Sequence, residues 1–379
     1  MSKTSKTTDL RSIEEKFSRT AFRLAQERND FLLPQVTDFV QNKKWLNLRP
    51  EYQRRQVWDD AKRSLFIESL LLNVPIPPVF LYEYDLSRYE VMDGQQRLNS
   101  VLDFYENRFA LRGLEKWREL NGFRYGDLPE SLRRGLDRRR ISATVLLIEK
   151  DGQAQASQDD VRKLVFERLN TGGRHLNAQE LRNCLYEGPL NDLLIRLSKD
   201  ALFSKIWEIP LHSQSTDKLG NISKELRENT RYRRMEDCSI VLRFFAFREK
   251  SNVKGSVRSM LDRYMEKNKD IPQDEASQLE KDFLSRLKLA NAIFGAKVFR
   301  FEDKDGNWTL SLPLYDGVMV ALDRLWKTKD ALVAERSKVV RDVVRLFHDP
   351  AAYEVLVGRP NTARAVQQRM DILMKAIER

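Results

Sequence analysis

The spacing of apolar and polar positions changes several times along this chain, and each change predicts an element. DDAKRSLFIESLLLN, residues 59–73, places Leu65, Ser69 and Leu72 at helical spacing behind Asp59 or Asp60 as N-cap. VPIPPVFLYEY turns extended, because Pro75, Pro77 and Pro78 forbid a helix and VFLYEY has strand composition. RYEVM, residues 88–92, predicts a second strand. Leu98, Val101, Leu102 and Tyr105 then fall at i, i+3, i+4 and i+7, one face of a helix. RISATVLLIEK, residues 140–150, is a further strand, and DDVRKLVFERLN a helix broken by TGG. In NAQELRNCLYEG, Asn177 caps a helix with Glu180 three residues on.

The two flanks differ from this alternation. Residues 1–30 read as a charged tail leading into a helix; VTDFVQNKKWL predicts a short helix, and LRPEYQRRQVW an extended segment. From Pro189 the pattern is helical nearly throughout, in MEDCSIVLRFFAFREK, EASQLEKDFLSRLKLANAIFG, LYDGVMVALDRLWK and KVVRDVVRLFHD. VFRFEDKDGNWTLSL interrupts it as a hairpin turning at Asp305-Gly306. The fold class is α+β followed by helices, divided into a tail (1–30), a mixed domain (31–188) and a helical domain (189–379).

Charge adds one constraint. The 67 Lys and Arg exceed the 56 Asp and Glu by 11, which suits a polyanionic partner, although many proteins carry such an excess without binding DNA. The start, MSKTSKTTDLRSIEEKF, lacks the apolar core of a secretory signal, and no run has the length of a membrane span. Cys184 and Cys238 lie in helical patterns, so a reducing, cytoplasmic protein is expected.

Chemistry concentrates in three places. In VMDGQQRL, a helix beginning at Gly94 would make Asp93 the N-cap and Gln96 its capping-box partner. That leaves Gln95 and Arg97 unexplained, since a cation in the first turn opposes the helix dipole. A bound anion reverses the sign: a glycine, two amides, a guanidinium and backbone N–H groups make a phosphate cradle. In YQRRQVW, Gln53, Arg54 and Arg55 offer donors; strand alternation sends the two arginines to opposite faces, and Arg54 is the preferred one. Asn170-Thr171-Gly172-Gly173 is either an ordinary helix stop or an anion-binding nest. Arg133-Arg134, Arg138 to Arg140 and Arg231 to Arg234 could contact phosphates, though such runs more often make a solvated face. There is no Walker-type loop, no C-x-x-C and no H-E-x-x-H; His175, His212 and His348 are scattered.

RPEYQRRQVWDD, NVPIPPVFLYE, YEVMDGQQRLNSVLDF and FERLNTGGRHLNAQELRNCLYEG, in this order over residues 31–188, closely resemble the N-terminal domain of GmrSD-type restriction proteins, a relative of the ParB and sulfiredoxin folds. The likeness continues more weakly into RMEDCSIVLRFFAF. It implies nucleoside-triphosphate binding and hydrolysis in defence against foreign, often modified, DNA. Carried over by position, it sets Asp93, Gly94, Gln95, Gln96 and Arg97 at the phosphates, with Gln53, Arg54 and Asn170 to Gly173 in support. Gln56 departs from the family, which often has an aromatic residue there. Phosphate chemistry generally gives the expectation of Mg2+, with no ligand set visible.

Larger relatives add an HNH-type nuclease, which these histidines cannot build, so a separate nuclease subunit is the expected cutter. A sulfiredoxin-like reaction would need a cysteine between Asp93 and Arg97, and there is none. Two alternatives stay open: a nucleotide-controlled DNA-binding switch without significant hydrolysis, and a ParB-like nuclease acting alone. The oligomeric state is open as well.

Overall fold

The computed structural model describes residues 24–48, 58–148, 164–165, 168, 177–216, 222–303, 306–357 and 361–378. Gln53, Arg54, Arg55, Asn170, Thr171, Gly172, Gly173 and His175 lie outside them. The chain divides into two compact units, and among the described residues the second begins at Asn177.

In the first unit the strands β1 (Leu24–Leu32), β2 (Leu46–Asn47), β3 (Val79–Asp85), β4 (Arg88–Asp93) and β5 (Arg140–Ile148) form one sheet in the order β1-β5-β3-β4-β2. β3 lies parallel to β5 and antiparallel to β4. Ile141, Ala143 and Val145 alternate onto one buried face of β5. The helices α1 (Leu33–Gln41), α2 (Asp60–Leu71), α3 (Gln95–Tyr105) and α4 (Glu130–Asp137) share the sheet's core through Leu33, Ile67, Leu98, Val101 and Leu136.

β1 corrects the expected passage from tail into helix. LAQERNDFL pairs residue for residue with β5, from Leu24 opposite Ile148 to Leu32 opposite Arg140. Glu27, Arg28 and Asp30 stay exposed on it, a composition that suits an edge strand. Ladder pairing with a partner more than a hundred residues away overrides the local pattern.

α2 starts where its sequence directs, with Asp59 accepting from the Lys62 N–H at 2.8 Å. It is buried on nearly every side, because the segment after α3 packs over its outer face. Ser64 Oγ accepts from the Arg112 N–H at 2.9 Å. Glu68, 4% exposed, accepts from the N–H groups of Lys116 and Trp117 at 2.8 Å and of Glu115 at 3.3 Å. A carboxylate thus sits in a ring of backbone donors, which stabilises both it and an irregular loop.

The second unit opens on α5 (Ala178–Leu185). Asn177 Oδ1 accepts from the Gln179 and Glu180 N–H groups and Glu180 returns to the Asn177 N–H, the expected capping box. Further on, α6 (Pro189–Ser198), α7 (Glu236–Arg248), α8 (Gln273–Phe294) and α9 (Leu312–Arg324) bury Leu193, Phe244, Phe245, Phe283 and Tyr315. Inside this core Arg243 holds Asp316 through two hydrogen bonds, Nε to Oδ1 at 2.7 Å and Nη2 to Oδ2. β6 (Arg300–Glu302) and β7 (Trp308–Leu310) form the expected hairpin. Among the described residues no helix is long and apolar enough to cross a membrane.

The Glu68 ring gives a stability prediction. Glu68→Ala leaves three backbone donors without their acceptor and should cost about 3 kcal/mol, read as a shift in urea midpoint. Glu68→Gln keeps one acceptor oxygen and should cost about half as much.

Candidate functional site

The DGQQR segment occupies the turn from β4 into α3. The strand runs through Asp93, and Gly94 then adopts φ 99°, ψ 7° to reverse the chain. A Cβ at Gly94 would lie 2.5 Å from Val79 Cγ1 and 2.9 Å from Val79 Cβ on β3, so left-handed backbone and close packing both require glycine.

This turn corrects the expected capping box. α3 begins one residue later than the box needs, Gly94 is the N-cap, and no side chain caps the helix. Asp93 belongs to the strand, so its carboxylate stands beside the first turn instead of across its end. Gln96 is consequently at the second helical position and Arg97 at the third.

Arg97 is the hub. Its Nη2 donates to Asp93 Oδ2 at 2.8 Å, and its Nη1 donates to the carbonyls of Pro77 and, at 3.3 Å, Pro78. The guanidinium side chain is 13% exposed and that of Asp93 46% exposed, so the pair has a dry side and a wet side. Burial pushes the Arg97 pKa below its ordinary value, while Asp93 pulls it back. Pro77 and Pro78 cannot continue a ladder, and Arg97 takes up the carbonyls they leave at the entry to β3.

The two glutamines are tied to chain backbone. Gln95, 6% exposed, donates from Nε2 to the Leu48 carbonyl at 2.7 Å. Gln96 Oε1 accepts from the Trp58 N–H at 3.4 Å. Leu48 and Trp58 are the described residues on either side of 49–57, the stretch that contains Gln53 and Arg54. One motif therefore fixes both approaches to the other. Sequence inspection brought the two motifs together only through the family resemblance, because residues 47 and 38 positions apart carry no local signal of contact.

Among the described residues no group of three or more His, Cys, Asp or Glu gathers as a cation site. A magnesium ion riding on nucleotide phosphates takes one or two protein carboxylates. Asp93, the carboxylate of this turn, is paired with Arg97, so it could meet such an ion only when that pair opens.

The model of the GmrSD restriction endonuclease, N-terminal domain, matches residues 36–187, less than half of the chain. This segment belongs to that family. No curated protein and no solved structure gives a match. The GmrSD N-terminal segment takes in α1 from Val36 on, α2 to α4, β2 to β5 and, across the division between the units, α5. Its DGQQR turn contains the described residues that the resemblance sets at the phosphates: Asp93, Gly94, Gln95, Gln96 and Arg97.

Substitution of Gly94 tests the turn. Gly94→Ala should destabilise the protein by about 2 kcal/mol or more, through positive φ and the clash with Val79. A thermal midpoint within a degree of wild type would show that the turn can relax.

Proposed function

We propose that this chain is the NTP-binding and NTP-hydrolysing sensor component of a DNA restriction system acting in defence against foreign DNA, with cleavage by a separate nuclease subunit. The GmrSD N-terminal domain supports the restriction context. On this reading its sheet and helices are a variant of the ParB and sulfiredoxin plan. The nucleotide's phosphates meet the chain at the start of α3.

One observation carries the phosphate assignment. α3 begins on Gly94 without a side-chain cap, and Arg97 in its first turn has Asp93 as its sole ion-pair partner among the described residues. An uncapped N-terminus favours negative charge, and a guanidinium fork matches phosphate oxygens. Asp93, on the exposed side of the pair, occupies the place of an exchangeable anion. A phosphate oxygen arriving at Arg97 Nη2 replaces it and frees the carboxylate to orient an attacking water. Gln95 and Gln96 then act by holding Leu48 and Trp58 in place.

Phosphate release from each NTP tests this. Arg97→Ala should lower release at least tenfold, about 1.4 kcal/mol of barrier. Arg97→Lys should fall between, since an ammonium keeps the charge without the fork. Asp93→Asn should retain nucleotide binding and lose release. Equal rates for wild type and Arg97→Ala, at equal folded fraction, would overturn the assignment.

A second reading is favoured by the same contacts. Asp93, Arg97 and Gln95 are all engaged within the protein, which suits a slow or silent hydrolytic site. The chain is then a nucleotide-controlled switch for DNA binding. Nucleotide-dependent DNA affinity without phosphate release selects it.

A further inference from the structure

We infer that the layer packed over α2, residues 108–140, is a contact surface for the phosphate backbone of duplex DNA; this rests on the restriction reading of the domain. The layer holds ten Lys and Arg against five Asp and Glu, a net +5 of the chain's +11 in 33 of its 379 residues. Nearly half of the excess charge is thus gathered in one covering segment of one unit.

The layer's own carboxylates do little to neutralise its cations, although Arg108 at its edge is paired from outside with Asp103 at 3.1 Å and with Glu106. Asp137 accepts from the hydroxyls of Tyr105 at 2.8 Å and Tyr125 at 2.9 Å, and Asp127 accepts from the Arg124 N–H at 2.9 Å. Both are bound to uncharged donors. Glu130 pairs with Arg134, but both side chains are largely exposed, so the pair is weak and screened. Arg112, Lys116, Arg118 and Arg138 are exposed and form no ion pair among the described residues.

These cations stand on a rigid support. The Arg112 N–H is bonded to Ser64, that of Lys116 to Glu68, and the Arg139 guanidinium to the Leu71 carbonyl. Residues 64, 68 and 71 follow one another along α2, so the anchors span about 10 Å of helix. With the backbone beneath them already ordered, these cations lose side-chain freedom alone on meeting a phosphate.

The composition of the layer favours duplex over other polyanions. Its aromatic residues Phe109, Trp117, Phe123 and Tyr125 pack onto the core, so it presents no free ring for stacking single-stranded bases. Among the described residues the large exposed apolar side chains, Leu72, Val74, Tyr84 and Leu86, all lie outside it, and membrane insertion would need such groups within it. Cations without either feature suit sequence-independent contact with a duplex backbone.

The test is the salt dependence of binding. Full-length protein is titrated into a labelled, unmodified duplex of about 30 bp from about 50 to about 200 mM salt. Each phosphate contact adds about 0.9 to the slope of log affinity against log salt. The triple variant Arg112→Ser, Lys116→Ser, Arg138→Ser should lose about 2 to 3 from that slope, and its Arg112→Lys, Arg138→Lys counterpart, with Lys116 kept, should hold the wild-type slope. Far-UV circular dichroism confirms equal folding, for which these exposed side chains are not needed.

A wild-type slope in the serine variant overturns the inference, as does preference of the native protein for single-stranded RNA or phosphatidylserine vesicles. Phosphate release without DNA, measured on the same samples, keeps the two proposals apart. Loss of slope in a protein that releases no phosphate upholds the surface and removes the hydrolytic reading alone.

Discussion

The contact of Arg97 with Asp93, Pro77 and Pro78 is the constraint on which the first unit turns. Three chain segments meet there: the proline-rich entry to β3, the end of β4 and the first turn of α3. Gly94 makes the meeting possible by taking a backbone conformation closed to other residues and letting Val79 approach. If the guanidinium were absent, a carboxylate and two carbonyls would lose their shared donor at a half-buried junction. The acidic member of the junction faces water while its basic member is largely buried.

A second device, built on α2, sets what the unit shows to its surroundings. An amphipathic helix ordinarily leaves one face in water, but α2 carries Ser64 and Glu68 inward as acceptors and draws a loop over itself. The loop's backbone is satisfied from below, which leaves its long cationic side chains free to face outward. Burying one carboxylate therefore organises a positively charged exterior.

Much of the fold was legible as periodicity. The strands at 79–85, 88–93 and 140–148 and the helix behind Asp59 follow from alternation, prolines and a capping residue. So does the capping box at Asn177, which local hydrogen bonds alone complete. β1 was not legible, since LAQERNDFL has no clear period and gains its form from nine pairings with β5. The candidate site was legible as a string of unusual residues and misjudged in its geometry. A one-residue extension of β4 removed the capping box and gave Asp93 to Arg97.

The sequence by itself determined the α+β class, most element positions and the concentration of candidate chemistry at Asp93 to Arg97. These depend on residue type and short spacing, which a linear pattern contains. Tertiary structure decided what the motif holds: Leu48 through Gln95, Trp58 through Gln96, and the Pro77 and Pro78 carbonyls through Arg97. It also decided which arginines lie exposed on a supported layer. Those are pairings across tens of residues, fixed by packing and by the need to satisfy buried polar groups, and no local period encodes them.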